Sequence, residues 1–370
     1  MWNLYWTGVR LPSPPLNIML HIEQLEKRQC LSWGPISPDD ITPAQPVFPD
    51  TAVADTELEN LYQSYNHNGI DFLEMRNLFQ STDDDGYTDR LEYLQLKRYL
   101  RLGATIDYVS YFASAALYGN YTTSDTVLFN NPQPLIDKWF NGKDLPVSSY
   151  PKYIPINGQL FVDGINQEDA KQQVLGDCYF ISTVGAIAQN NPQTIRDTIW
   201  ELDSNLWCVR FYDNAGDKHF VTVNNYLPAN SLKESVFADW GDNNELWPAL
   251  LEKAYAQASP NRLIRNKPNN YRSIEWGSPQ FVYKHILNEQ PTHAKGLTKQ
   301  STITYLNNNI PMVISFNRHT YTFEYYNSEE DKFFLRNPYQ TNHIYKTWQE
   351  LLDLEIVGDR MGCYVFDVKD

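Results

Sequence analysis

Cys178 closes the run Gln-Gln-Val-Leu-Gly-Asp-Cys (172–178) and opens a mostly apolar stretch, CYFISTVGAIAQ, that ends at Asn190-Asn191-Pro192. That pattern predicts a helix with a stop signal, and it places the thiol in the first turn. A cysteine is a good acyl-transfer nucleophile only as thiolate, and a helix N-terminus and a nearby imidazolium both lower its pKa. The same turn offers the Cys178 N–H to an oxyanion formed on an attacked carbonyl. Gln172 lies six residues upstream, across the Leu175-Gly176-Asp177 turn, and its side-chain amide is a candidate second donor. Gly176 suits a tight turn because it carries no Cβ. Cys208 and Cys363 instead sit inside the strand-like runs LWCVRF and GCYVFD, with no glycine turn or helix start to expose them. Together with Cys30 they are expected to be ordinary buried or sheet cysteines.

The segment QQVLGDCYF resembles the active-site segment of calpain-family cysteine proteases. LWPALLEKAYA (246–256) and VNNYLP (223–228) are similar to two further stretches of that family, in the same order. The resemblance implies an α+β, papain-like fold with a mainly helical half, an antiparallel β half and a cleft between them. It makes Cys178 the nucleophile and Gln172 the oxyanion-hole amide. The family's base is a histidine that begins a β-strand, and its orienting residue is an asparagine before proline at the end of the next strand. NRHTYTFEYY and FFLRNPY fit that description and give His319 and Asn337.

The residues agree with this assignment on physical grounds. Successive antiparallel strands place the start of one beside the end of the next, which holds a base and its orienter rigidly. His319 lies 141 residues after Cys178, a separation found in papain-like enzymes. His219, His285, His293 and His343 are not followed by a strand ending in Asn-Pro, and with His21 and His67 they are expected to be surface or packing residues. The chain departs from the family at Tyr179 and Tyr339, where tryptophan is usual, and at Gln173 and Arg318, where glycine is usual. Arg318 places a cation beside the base, which would disfavour an imidazolium.

The implied activity is peptide-bond hydrolysis through a thioester acyl-enzyme, with proteins or peptides as substrates. Two alternatives stand beside it. One is a catalytically impaired calpain-fold protein that acts as a calcium-dependent binding or scaffold module. The other is transamidation or deconjugation by the same residues, because the site specifies acyl transfer and not the acceptor.

Upstream, STDDDGYTDRLE (81–92) has the frame of a calcium-binding loop. Oxygen ligands are available from Ser81, Asp83, Asp85, Asp89 and Glu92, with the Tyr87 carbonyl at the seventh position and Gly86 at the sixth. The following EYLQLKRYLRLG resembles the helix after the calcium loop of dockerin modules. Calcium is therefore the one cofactor expected, and no organic cofactor is implied. The plainer alternative is an Asp-rich helix cap and turn with no metal.

These elements sit in a chain of 370 residues that is 42% hydrophobic and 20% charged, the profile of a folded protein. A net charge of -15 with no basic stripe argues against a nucleic-acid partner. No C-x-x-C pair or dense cysteine spacing suggests zinc or a disulfide framework. No apolar run approaches the roughly 20 residues needed to span a bilayer, and the first thirty residues lack the apolar core of a secretory signal. LEKRQCLS is similar to a short N-terminal motif of exported proteins of planctomycete-type bacteria, although a plain amphipathic segment is the preferred reading of eight residues. The compartment stays open between cytoplasm and non-standard export.

Five segments are expected: a leader and Pro-rich linker (1–55), a helical EF-hand or dockerin-like module (56–105), a connector (106–156), a Cys-side protease subdomain (157–289) and a His/Asn-side subdomain (290–370).

Overall fold

The computed structural model describes residues 55–65, 69–83, 88–103, 106–118, 132–150, 152–241, 243–259, 267–289, 291–293, 297–356 and 362–365. Cys30, His21, His67, Asp85, Gly86 and Tyr87 lie outside them. The architecture is α+β with antiparallel sheets, as the sequence implies.

Among the described residues five helices come first: α1 (Thr56–Gln63), α2 (Phe72–Ser81), α3 (Arg90–Gly103), α4 (Asp107–Tyr118) and α5 (Gln133–Trp139). Asp71 caps α2 through a capping box with Glu74. These helices do not close a core by themselves. Phe72, Met75, Phe79, Phe112 and Phe140 pack together with Leu206, Cys208 and Phe220 from a three-stranded antiparallel sheet. That sheet is β2 (Ile199–Asp203), β3 (Leu206–Tyr212) and β4 (Lys218–Asn224). Arg76 ties the two layers by an ion pair to Asp203 at 2.9 Å, and the Thr222 hydroxyl donates to the Trp139 carbonyl.

Successive strand side chains point to opposite faces, so β3 is buried on both. Leu206 and Cys208 face the helices, while Trp207, Val209 and Phe211 face the central core. The strand-like run around Cys208 is thus explained by packing, and burial pushes its thiol well up from the ordinary cysteine value.

The central core is built around α6 (Cys178–Asn190), which is apolar on nearly every side and buried from Cys178 through Ala188. It stops where the sequence indicates: Asn191 caps the next helix, α7 (Pro192–Thr198), with Pro192 in its first turn. Against α6 pack α8 (Trp247–Gln257) and α9 (Pro279–Leu287), with Phe180 stacked on Tyr255 at 4.5 Å. A short pair, β1 (Lys152–Pro155) with β5 (Tyr226–Ala229), closes one side. The buried Lys253 ammonium donates to the carbonyls of Asn224 and Tyr226 and to the Asn224 side chain, pinning the corner between β4 and β5.

The other half is a six-stranded antiparallel sheet in the order β10-β9-β8-β7-β11-β6. Its strands are β6 (Thr292–His293), β7 (Met312–Phe316), β8 (His319–Asn327), β9 (Lys332–Arg336), β10 (Ile344–Lys346) and β11 (Gly362–Val365). Two helices, α10 (Lys299–Asn307) and α11 (Trp348–Ile356), accompany it. Along β7 the alternation again serves two cores: Met312, Ile314 and Phe316 join the cluster of this half, while Val313 joins the one around α6. Between the halves, the Ser182 hydroxyl donates to the Thr320 carbonyl and the Thr322 hydroxyl to the Ser182 carbonyl, both at 2.9 Å.

Candidate functional site

Cys178 is the first residue of α6, His319 the first of β8, and Asn337 directly follows β9. Strands β8 and β9 run antiparallel, with Thr322 opposite Arg336, so the start of one lies beside the end of the other. The structure accordingly brings His319 Nε2 to 2.9 Å from Asn337 Oδ1. Asn337 Oδ1 also accepts the Tyr339 N–H at 3.2 Å, which identifies that atom as the oxygen. His319 Nε2 is therefore the donor, and Nδ1 is the ring's second nitrogen. The Asn337 N–H donates in turn to His343 Nδ1.

Tyr339 lies parallel to the His319 ring at 5.4 Å and Tyr321 meets it edge-on at 4.8 Å. Aromatic shielding of the imidazole is thus supplied by tyrosines. Cys178 is 9% exposed, and the N–H and hydroxyl of Thr320, the neighbour of His319, pull its thiol pKa down.

The electrostatics depart from expectation at two points. Burial pushes the Cys178 thiol up, and the carboxyl of Asp177 adds to this, while hydrogen bonds from Thr320 and the Tyr179 N–H pull it down. Burial therefore outweighs the helix start that the sequence suggested would lower it. Burial likewise pushes His319 down, with the Asn337 hydrogen bond opposing. Arg318 plays no part in that shift. It is exposed, and with Asn317 it forms the two-residue turn joining Phe316 to His319, at φ of 60° and 50°. A turn with two left-handed residues favours glycine, which gives a backbone reason for glycine before the base.

Gln172 is buried beside this site, its own N–H bonded to the Pro338 carbonyl at 2.9 Å. Its side-chain Nε2 donates to the Leu175 carbonyl, and the amide also lies close enough to the Asp177 carboxyl to pull its pKa down. Gly176 does not occupy the left-handed region, so its conformation does not demand glycine. The indole of Trp276 covers it, 3.5 Å from where a Cβ would stand.

Sequence reasoning missed a carboxyl pair directly behind Cys178. Asp177 precedes the thiol, and Glu252 comes from the α8 segment LLEKAYA; both side chains are fully buried. Glu252 Oε2 accepts the Ala238 N–H at 3.0 Å, whereas Asp177 has only the weaker approach of the Gln172 amide and its own N–H. The two carboxyls face each other within hydrogen-bond reach, and burial holds both above the ordinary carboxylate range. One proton shared between them satisfies both. A buried acid at the N-cap position with no capping bond was the available signal.

For the calcium-loop residues, Asp89 Oδ1 accepts the N–H groups of Leu91 and Glu92, and Glu92 Oε2 accepts the Asp89 N–H. These two carboxylates thus cap α3 reciprocally. The Ser81 hydroxyl donates to the Leu78 carbonyl, and Asp83 follows in the turn after α2. Among the described residues no group of three or more His, Cys, Asp or Glu side chains is arranged to hold a metal. A second acidic place lies where Glu245 and Asp169 adjoin: burial pushes Glu245 up to about 7 and Asp169 above its ordinary value, and each is raised further by neighbouring carboxylates.

Comparison with known proteins finds similarity on the cysteine side of this site. Residues 140–263 match the model of the calpain family cysteine protease. Over 146 residues the chain is 32% identical to the calpain-type cysteine protease DEK1 of Zea mays, covering 37% of this chain and 6% of that one. It is 28% identical over 160 residues to calpain-5 of Caenorhabditis elegans, covering 37% and 24%. With the calpain-1 catalytic subunit of Macaca fascicularis it shares 31% identity over 134 residues, covering 33% and 16%. The chain thus spans less than a quarter of the length of these relatives. No helix among the described residues is long and apolar enough to cross a membrane. The matched segment carries Gln172, Cys178 and Glu252 and is similar to the calpain family cysteine protease over those residues.

Proposed function

We propose that the chain is a calpain-type cysteine endopeptidase that hydrolyses peptide bonds of protein or peptide substrates through Cys178, His319 and Asn337. The observation that carries this is the His319–Asn337 bond, oriented by the Tyr339 N–H, with the adjacent Thr320 pulling the Cys178 thiol pKa down. Both shifts at the pair favour uncharged thiol and imidazole before substrate binds. Cys178 Sγ then attacks the scissile carbonyl as its proton passes to His319 Nδ1, and the C–N bond breaks as that proton reaches the leaving amine. Water, deprotonated by the same nitrogen, releases the acid from the thioester. The Cys178 N–H and the Gln172 side-chain amide hold the oxyanion, and Asn337 fixes the tautomer. A peptidyl electrophile is expected to label Cys178 rapidly and to the exclusion of Cys208. A folded protein that fails to react would reject the proposal.

Truncation of the orienting amide separates position from folding. Asn337→Ala is expected to lower kcat/KM by about ten- to a hundredfold, with most of the loss in kcat. The His319 titration should also move further down, because the Asn337 bond is what holds it up. An unchanged pH profile would argue that Asn337 does not touch the base.

Calcium control belongs to the same proposal. The Asp-rich loop is one candidate, although a cation there must compete with the cap that Asp89 and Glu92 form. The other is the Glu245–Asp169 region, where a cation would relieve repulsion between raised carboxylates. Calcium at sub-millimolar concentration is expected to raise the melting temperature and the rate of peptide hydrolysis. Glu245→Gln and Glu92→Gln tell which place responds. Calorimetry without heat, together with hydrolysis indifferent to chelator, rejects calcium control.

A further inference from the structure

Trp276 is 65% exposed and holds φ of 60°, a conformation costly for a bulky residue. The segment around it is firmly seated on the turn that leads into Cys178. The Trp276 N–H donates to the Gly176 carbonyl at 3.0 Å, and the Tyr179 hydroxyl donates to the Ile274 carbonyl at 2.8 Å. Gly277 lies so close to the Tyr179 ring that a Cβ there would come within 2.1 Å of it. Glu275 shares the same ground: its Cγ is 3.7 Å from where a Gly176 Cβ would stand, against 3.5 Å for the indole. Glu275 is partly exposed and forms no ion pair with any cation among the described residues.

An indole and a carboxylate are therefore held side by side, two residues before the nucleophile, in a chain of net charge -15. Among the described residues no hydrogen bond or ring contact uses the indole, which only lies over Gly176, while its backbone strain is maintained by the contacts on either side. An aromatic face attracts a cation, a carboxylate pairs with it, and the methylene stem of lysine or arginine packs on the ring. We propose that Glu275 and Trp276 form a specificity subsite that takes a basic side chain of the peptide substrate close to the scissile bond. This rests on the proteolytic reading of Cys178.

The test uses the full-length protein and internally quenched peptides in which one position at a time carries arginine, its neutral near-isostere citrulline, or norleucine. At one position arginine is expected to exceed both others in kcat/KM by about tenfold, the size of one partly exposed cation contact. Glu275→Gln should bring arginine to within about twofold of citrulline. Trp276→Gly should lower the arginine peptide by a similar factor, chiefly through KM, without loss of melting temperature, because glycine accepts the backbone angle without strain. Alkylation of Cys178 by iodoacetamide checks that the turn is intact in each variant. Cleavage with no arginine preference, or a preference that survives Glu275→Gln, overturns the subsite and leaves the protease standing. If no peptide is cleaved and no peptidyl electrophile labels Cys178, the proteolytic reading and the subsite fall together.

Discussion

Cys178→Ala is expected to reduce peptide hydrolysis by at least about 10⁴-fold, to the level of background, while the fold persists. Of the two cysteines whose side chains are described, Cys208 lies fully buried on the opposite side of β3, in the helical cluster, and cannot take over as nucleophile. The substitution removes one sulfur whose pKa Thr320 lowers and leaves the helix start, the Asp177 carboxyl and the His319–Asn337 bond in place. Its structural cost should stay near 1 kcal/mol. Measured turnover with a fluorogenic peptide, beside the melting temperature of the same sample, separates chemistry from folding. Turnover equal to that of the parent protein would exclude Cys178 as nucleophile and return the site to an acyl-transfer-free role.

Loss of Glu252 is the largest structural effect expected. Glu252→Ala removes the proton-sharing partner of a fully buried Asp177 and opens a cavity in the core around α6, at a cost of about 3 kcal/mol or more. Glu252→Gln is the informative companion. In the parent protein burial raises both carboxyls in the folded state. A raised folded pKa contributes stability that is complete below the unfolded carboxylate range and fades as pH rises through the folded value. The pair therefore favours the fold in mild acid and loses that contribution toward neutral and alkaline pH. A glutamine donates an N–H to Asp177 without titrating, so the variant should gain on the parent protein as pH rises. Urea midpoints at pH 5.5 and 8.5 check this. A difference between the two proteins that does not change with pH would mean that no proton is shared.

Much of the site was legible because its parts are local in sequence. A helix start after Gly-Asp and a strand ending in Asn-Pro are short patterns, and antiparallel pairing then brings His319 and Asn337 together. The helix stop at Asn191-Pro192 was likewise readable from residue types alone. What depended on distance along the chain was not. The Asp177–Glu252 pair joins residues 75 apart, and nothing local marks the glutamate, which shares a buried helix with Lys253 and Gln257. The rise in the Cys178 pKa follows from how much protein covers the thiol, a quantity that residue types near it do not reveal. The backbone angle of Trp276 is fixed by contacts with Gly176 and Tyr179, nearly a hundred residues upstream. In the Asp-rich stretch the pattern admitted two meanings, and Asp89 and Glu92 act as the cap of α3.

The two-faced burial of β3 has a practical consequence for where this protein can be cut. The family match begins at residue 140, just after α5, and invites a protease fragment starting there. Such a fragment would strip one side of its own sheet, leaving Leu206, Cys208 and Phe220 without cover and the Asp203 carboxylate without Arg76. The first five helices are thus a foundation wall of the enzyme half and not an annex to it. A shortened chain should aggregate through that bared sheet face unless residues 56–139 accompany it.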